Sequence, residues 1–446
     1  MSASSMATES DLQSQSIPAL FWKYTLPTIA AMLVTGVYVA IDGMFVGHFL
    51  GEEGLAGIML GYPIASILYA VGALIGMGAS ALVSIKLGEG NHKQAKAIVG
   101  TAFTMCAIAA LALSTIGLFW SSDILKWLGA EGNVYDAAKE YLDWYFLLGL
   151  FPVYSMAFSS LLRNDGKPTQ VTYIMILGGV LNVILDWVFI VLIPWGLMGA
   201  AIATMLSQAV TAVLCLFYFI GKRSQLSLSL ASIFPNWKIC LHIAQLGSSS
   251  FLMYLYLSVV LTLHNKAFLW VGDAIHVAAY GIVSYTEAVF YLIFEGIALG
   301  IQPIASFNTG AKQFERVRQI RNIAFVATLF VATMGLILTY GFPEWVIYLF
   351  SGDNPTVYPV ALEGMRYYFW GLPMEGLLLV GATYFQAINH PKDAALLTGG
   401  KLILIMVMLF FFSMLWDVHG VWLALPITSS LLCCWMLYRV KTLKSQ

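Results

Sequence analysis

Apolar residues in this chain run in long blocks separated by short polar stretches, and they do not alternate with polar ones as in a half-buried strand. A helix needs about 20 apolar residues to cross a bilayer. Twelve blocks meet that length, at roughly 19–47, 54–85, 97–119, 135–162, 168–193, 197–220, 240–269, 275–308, 321–342, 356–387, 394–415 and 418–438. The expected fold class is an all-α membrane protein of twelve transmembrane helices. Several blocks are longer than about 25 residues, which predicts tilt or bending. Pro27, Pro63, Pro303 and Pro373 lie inside blocks and mark the expected bends, because a proline removes one helical donor and crowds the preceding turn.

The polar stretches sort by charge. One alternate set of loops holds Lys86, Lys93, Lys96, Arg163, Lys167, Lys222, Arg223, Lys238, Lys312, Arg316, Arg318, Arg321 and Lys392, and both chain ends join it. The other set is mainly acidic, with Glu52, Glu53, Asp123, Glu131, Asp273, Glu344, Asp353 and Asp417. Basic loops stay on the cytoplasmic side, so both termini are expected there, in the cell membrane. Residues 1–16 are polar without a basic leader and read as a disordered cytoplasmic tail, as do residues 441–446 at the other end.

The halves repeat. Gly57 and Gly76 recur as Gly281 and Gly300, Gly90 as Gly310, Tyr145 and Gly149 as Tyr367 and Gly371, Pro168 as Pro391, and Gly196 and Ala200 as Gly420 and Ala424. The near-constant offset carries the argument, since isolated glycine matches are common in membrane helices. Six spans separate the copies, so both enter from the same face and form parallel repeats. The expected organisation is an N-lobe at 17–220, a polar linker at 221–238 with Pro235, and a C-lobe at 239–440. Two pseudo-twofold six-helix lobes facing across a cleft suit an alternating-access carrier.

Composition narrows the function. Of 446 residues, 60% are apolar and only 10% charged, with a net charge of −1, which excludes a soluble enzyme, a disordered chain and a basic nucleic-acid binder. The odd count of five cysteines, most within apolar blocks, argues against a disulfide framework. No HExxH or GxxxxGK[ST] occurs, so neither a zinc hydrolase nor ATP hydrolysis is expected and an ion gradient is the natural energy source. The expected partners are small molecules and the lipid bilayer, with no nucleotide and no nucleic acid. The expected state is a monomer.

An ionisable group inside a span costs roughly 2.5–3.5 kcal/mol on the insertion scale and usually marks function. Asp42, Asp186, Glu287, Glu295 and Glu375 are such groups. Tyr38 and Asp42 share one face of the first span, and Asn182 and Asp186 one face of the fifth. Asp42, Asp186 and Thr204 of the sixth span fall roughly 8–11 Å below the outer surface at 1.5 Å per residue. Two carboxylates, an amide oxygen and a hydroxyl at one depth form a hard-oxygen cage for Na⁺ or a shared proton. Glu287, Glu295 and Glu375, with Gln302 before the bend at Pro303, could attract an organic cation or line the substrate cleft. Glu363 and Arg366 have the i,i+3 spacing of a structural pair. Aromatic residues make up 14% of the chain, and some could stack flat cations while the rest form interfacial belts. GxxxG at Gly72–Gly76 and Gly296–Gly300 predicts close helix packing.

Six segments in order, YVAIDGMFVGHFLG (38–51), LLRNDGKPTQ (161–170), LNVILDW (181–187), GLMGAAIATMLSQ (196–208), GIQPIASFNTGA (300–311) and YFQAINHPK (384–392), resemble the multidrug and toxic compound extrusion (MATE) family. The similarity extends over nearly the whole chain from about residue 17. It implies export of cationic or amphipathic compounds in exchange for Na⁺ or H⁺, with no other cofactor. It also implies an N-lobe cation site at Asp42, Asn182, Asp186 and Thr204 with Tyr38 nearby, and a bend of the first helix at Pro27. One branch of the family uses acids on spans seven and ten. Glu375 fits the latter, but span seven (LGSSSFLMYLYLSVVLTLHNKAF) has no acid, which favours coupling through the N-lobe. The alternative is a flippase of lipid-linked oligosaccharides from the same superfamily. Its anionic cargo would want buried bases, whereas this chain sets acids inside and nearly all its bases at the ends. An intramembrane enzyme would need a nucleophile and base within the spans, and none is evident.

Overall fold

The computed structural model describes residues 11–221, 224, 226–228, 232–352 and 354–443. The parts of the expected tail, linker and acidic loops at 1–10, 222, 223, 225, 229–231, 353 and 444–446 lie outside the described residues.

In the N-terminal half, α1 (Ile17–Phe45) runs through a π-helical turn (Val46–Leu50) into α2 (Gly51–Gly88), followed by α3 (His92–Trp127), α4 (Gly132–Leu147), α5 (Leu150–Asn164), α6 (Pro168–Asp186) with a second π-turn (Trp187–Leu192), and α7 (Gly196–Ile220). In the C-terminal half come α8 (Trp237–Val271), α9 (Ala274–Gly310), α10 (Phe314–Gly341), α11 (Pro343–Ser351) and α12 (Val357–Tyr368), joined by a 3-10 turn (Phe369–Gly371) to α13 (Leu372–Ala387). Then α14 (Pro391–Ala395) passes through a third π-turn (Leu396–Gly400) into α15 (Lys401–Leu443).

These resolve into twelve crossings among the described residues. Gly51, at φ 66°, separates the first from the second. α4 and α5 form one crossing bent by 55°. α12 and α13 form the tenth. Trp416 and Asp417 leave helical geometry and split α15 between the eleventh and twelfth. The chain supplies the helix starts chemically. Asn236 Oδ1 accepts from the Lys238 and Ile239 amides, Asp273 Oδ1 from those of Ile275 and His276, and Asn91 Oδ1 from that of Gln94. Many span hydroxyls bond back one turn, as Thr28 does to the Tyr24 carbonyl at 2.7 Å, which satisfies those donors without water.

Pro27, Pro63 and Pro303 lie inside helices, while Pro373 stands in the first turn of α13. The 55° bend of the fourth crossing falls at Leu148–Gly149, without a proline at the break.

The two halves meet through glycines at the end of the molecule that carries the basic loops. A Cβ on Gly78 would lie 2.1 Å from the Ile243 carbonyl, and one on Gly247 1.8 Å from the Leu74 carbonyl, so the α2–α8 crossing admits no side chain there. The two GxxxG motifs divide the labour. Gly76 packs on Ala157 of α5 within its own half, whereas Gly296 and Gly300 pack on Ile29 and Thr25 of α1 across the junction. Gln302 Nε2 crosses the same junction to the Met77 carbonyl at 3.1 Å.

Two expectations need correction here. The stretch 11–16 is ordered: residues 11–14 form a helical turn, Leu12 is buried, and Arg316 Nη2 donates to the Leu12 and Gln15 carbonyls at 2.9 and 2.8 Å. A guanidinium with five fixed donors can tie down two carbonyls at once, and that tie holds the segment. Glu363 takes His419 as its partner, at 2.8 Å, in place of Arg366.

Candidate functional site

The N-lobe acids lie where α1, α6 and α7 meet. Tyr38 of α1 rests on Gly179 of α6, where an added Cβ would be 3.0 Å from the tyrosine ring. α1 and α6 cross the membrane in the same direction. One turn beyond this contact α1 carries Asp42 and α6 carries Asn182, and Asp186 follows a turn later. Asn182, Asp186 and Thr204 are 1%, 0% and 7% exposed. Asn182 Nδ2 donates to Thr204 Oγ1 at 3.4 Å. That bond turns the amide oxygen away from Thr204. Asn182 Oδ1, both Asp186 oxygens and Asp42 Oδ1 are all buried and have no hydrogen-bond partner among the described residues.

Buried acceptors are almost always satisfied. Four unsatisfied acceptor oxygens with no donor among them form a set that a cation or added protons would satisfy, as water would in part. Oxygen donors from two carboxylates, an amide and a hydroxyl suit a hard monovalent ion or a proton. Pro27 stands well below, toward the basic end of α1, and its carbonyl accepts from Thr172 Oγ1 of α6 at 2.7 Å.

Of the C-lobe acids, Glu287 and Glu375 line one cavity with Tyr368 and Pro426, and Glu295 is not part of that lining. Glu295 accepts from Tyr254 Oη at 3.0 Å, and the same hydroxyl lies 3.8 Å from Met156 Sδ of the opposite half. Gln302 is 1% exposed in the lobe junction and is not in the lining of the two cavities described at Glu375. Glu287 accepts from Tyr368 Oη. Glu375 has both oxygens engaged, Oε2 by the Lys401 ammonium and Oε1 by Ser429 Oγ.

Lys401 is the residue that sequence reasoning missed. It is 8% exposed, about 15 Å along its crossing from Pro391 at 1.5 Å per residue, and its Nζ stands 4.1 Å from the centroid of the Tyr256 ring. This residue is an exception to the expectation that nearly all bases sit at the ends, and Arg163, in the last turn of α5, is at an end but only 3% exposed. The signal was present as a lone lysine in LLTGGKLILIM. The rule that flags a buried acid flags a buried base equally.

Comparisons with known proteins follow the same outline. The MatE family model matches residues 27–188 and 249–413, once in each half. The FAD transporter of Shewanella oneidensis is 27% identical over 96% of this chain and 96% of its own. The multidrug export protein MepA of Staphylococcus saprophyticus is 24% identical over 89% of this chain and 88% of its own. Among solved structures, an outward-facing multidrug resistance MATE transporter of the MOP superfamily superposes with a TM-score of 0.91 at 21% identity, covering 97% of this chain and 98% of that one. A MOP superfamily transporter from Pyrococcus furiosus, for which a binding pocket of reverse polarity suggests a different function, superposes with a TM-score of 0.90 at 22% identity, covering 97% and 98%. At such identities the structural likeness shows the fold. One family model matched in both halves, over most of the chain, places this protein in the MatE family of multidrug efflux transporters.

Proposed function

We propose that the protein is a cation-coupled antiporter that exports amphipathic compounds by alternating access, with Na⁺ or H⁺ bound at Asp42, Asn182, Asp186 and Thr204. The observation that carries this reading is the set of four buried, donorless acceptor oxygens between α1 and α6. The glycine contacts close the halves at the basic-loop end, Thr25 on Gly300 and Ile243 on Gly78. With basic loops on the cytoplasmic side, that closure corresponds to an outward-open carrier with both termini inside.

In this state a coupling cation entering from outside neutralises the cage. The cation then favours whichever arrangement of α1 brings the acceptors closest, and α1 is divided at Pro27. A ligand moves such an equilibrium only through its different affinities for the two states. Carboxylates without donors supply such a difference where one arrangement of α1 brings them closer around the cation than the other. Substrate released outward is replaced by the ion, which leaves inward.

The buried Lys401 and the name of the Shewanella relative favour a second reading of the cargo, in which acidic flavin-like compounds are carried. The lack of a buried base no longer weighs against anionic cargo. Drug-sensitive cells expressing the wild type should survive higher ethidium concentrations than cells expressing Asp42→Asn at equal membrane abundance. Equal resistance in the two would sink the N-lobe coupling site.

A further inference from the structure

We propose that the C-lobe holds a substrate subsite in which Lys401 and Tyr256 bind the carboxylate or phosphate of a planar aromatic compound. The proposal rests on the export reading above and names a cargo class for it.

The first observation is the ammonium itself. A buried lysine without a counter-ion is costly, and Lys401 has one in Glu375 Oε2. An ammonium has three donors. Glu375 uses one, and the face of Tyr256 shields the group on another side. The second observation is independent of the first. Tyr256 is 7% exposed, and its hydroxyl is buried without a partner. Both residues line one cavity, with Met253, Tyr291, Leu397 and Thr398.

Its polar rim is therefore rich in donors. The acceptor at its edge, Glu375, already has both oxygens bound, by Lys401 and Ser429. A cation entering here would meet the Lys401 ammonium, with the Glu375 carboxylate already shared between that ammonium and the Ser429 hydroxyl. An acidic group would meet a charged donor and an unsatisfied hydroxyl, and charge-assisted bonds of that kind are about twice as strong as neutral ones. Tyr256 and Tyr291 supply aromatic faces beside the ammonium, while Met253 and Leu397 give apolar, adaptable walls. The cavity, about 30 Å³, has room for an acidic arm that meets the ammonium and the hydroxyl at once, and the ring requires it to widen. Glu375 acts as the resting counter-ion, so that Lys401 is never buried alone between transport cycles.

Purified full-length protein is titrated with riboflavin and with riboflavin 5′-phosphate, which share a ring system and differ in the phosphate, and binding is read from flavin fluorescence. The wild type should bind the phosphate form at least tenfold more tightly. Lys401→Gln should abolish that preference and Lys401→Arg retain part of it. Tyr256→Phe, which keeps the ring and loses the hydroxyl, should weaken the phosphate form alone by several-fold. Glu375→Gln, which releases Lys401 from its resting partner, should strengthen it. Gel-filtration profiles identify any variant that fails to fold, and Tyr256→Phe and Glu375→Gln carry the test if Lys401→Gln does not fold.

Equal binding of the two flavins by the wild type would overturn the proposal, as would a preference that survives in folded Lys401→Gln. Ethidium efflux from vesicles containing the wild type reports separately on the export reading. Efflux without flavin discrimination removes only this subsite, and discrimination without efflux removes only the export reading.

Discussion

Thr172 Oγ1 of α6 donates to the carbonyl of Pro27 in α1 at 2.7 Å, so the proline of the first helix is tied to the helix that carries Asn182 and Asp186. Proline cannot donate to the carbonyl four residues earlier, which leaves α1 weakest at this turn. The hydroxyl joins that weak turn to α6 from the side. Thr172→Val keeps the volume and removes the bond. A hydrogen bond of this kind contributes about 1 kcal/mol, so the variant should fold with slightly lower thermal stability. Its efflux should slow several-fold, because α1 and α6 no longer move as one body at this level. Wild-type transport rates in Thr172→Val would show that the tie plays no part in the cycle.

The α2–α8 crossing predicts a separate phenotype. Gly247→Leu drives a side chain into the Leu74 carbonyl, where even a Cβ would stand 1.8 Å away. Overpacking of this kind costs ~1–3 kcal/mol, and here it can be relieved by parting the halves at the basic-loop end. In a cysteine-free background, Ala81→Cys probes that junction, since Ala81 shares the helix face of Leu74 and Gly78 and is 0% exposed. Maleimide labelling at this position should be several-fold faster with Gly247→Leu than with Gly247, and efflux should fall. Unchanged labelling would mean that the junction is not the closing surface.

Arg316 holds the start of the chain against α9 and α10, through the Leu12 and Gln15 carbonyls and through Asn308 Oδ1 at 2.9 Å. Arg316→Gln cannot reach all three acceptors. Limited trypsin treatment of the purified variant should cut at Lys23, which lies close to the freed segment, well before it cuts there in the wild type. Identical digestion of the two would show that other contacts hold the segment.

Asp165, in the loop between α5 and α6, gives a pH-dependent prediction. Burial raises its carboxyl above the usual range, only partly offset by hydrogen bonds from Tyr218 and Ser224 and by the charge of Lys167. A raised folded-state value means that the native state binds the proton more tightly than the unfolded chain. Its contribution to stability is complete below the ordinary carboxyl value and is lost as pH rises through the raised one. Asn keeps an oxygen for both hydroxyls and carries no charge. The melting temperature of Asp165→Asn should therefore gain on that of the wild type as pH rises from about 4 to about 7. A difference that does not change with pH would contradict the assignment.

Much of this fold could be read from hydropathy because lipid forces apolar residues outward along whole helices. All twelve crossings overlap the expected blocks, most ends within about three residues, though α3 runs on to Trp127 and α10 begins at Phe314, and the split at Asp417 falls where hydropathy placed it, between 415 and 418. Short α11 was not foreseen. It is a surface helix of nine residues, too brief to register against the adjoining span, although Trp345 and Leu349 are each 77% exposed on it. The ordering of residues 11–16 was hidden as well, because it depends on Arg316, some three hundred positions away.

For the site, the i,i+4 pairs on the first and fifth spans put Asp42 and Asn182 one turn beyond the Tyr38–Gly179 contact between α1 and α6. Which oxygens would stay unsatisfied was not legible, since that turned on the rotamer by which Asn182 donates to Thr204. Lys401 was legible in principle and was passed over among acids. Its pairing with Glu375, 26 positions earlier, needed the packing of α15 on α13.

The most direct test of the central claim is ethidium efflux from reconstituted vesicles under an imposed Na⁺ gradient alone or an imposed pH gradient alone, for the wild type and for Asp186→Asn. The account predicts that one of the two gradients drives efflux in the wild type and that neither does in Asp186→Asn, because the four acceptor oxygens then no longer form a cation site. Undiminished gradient-driven efflux in folded Asp186→Asn would contradict it.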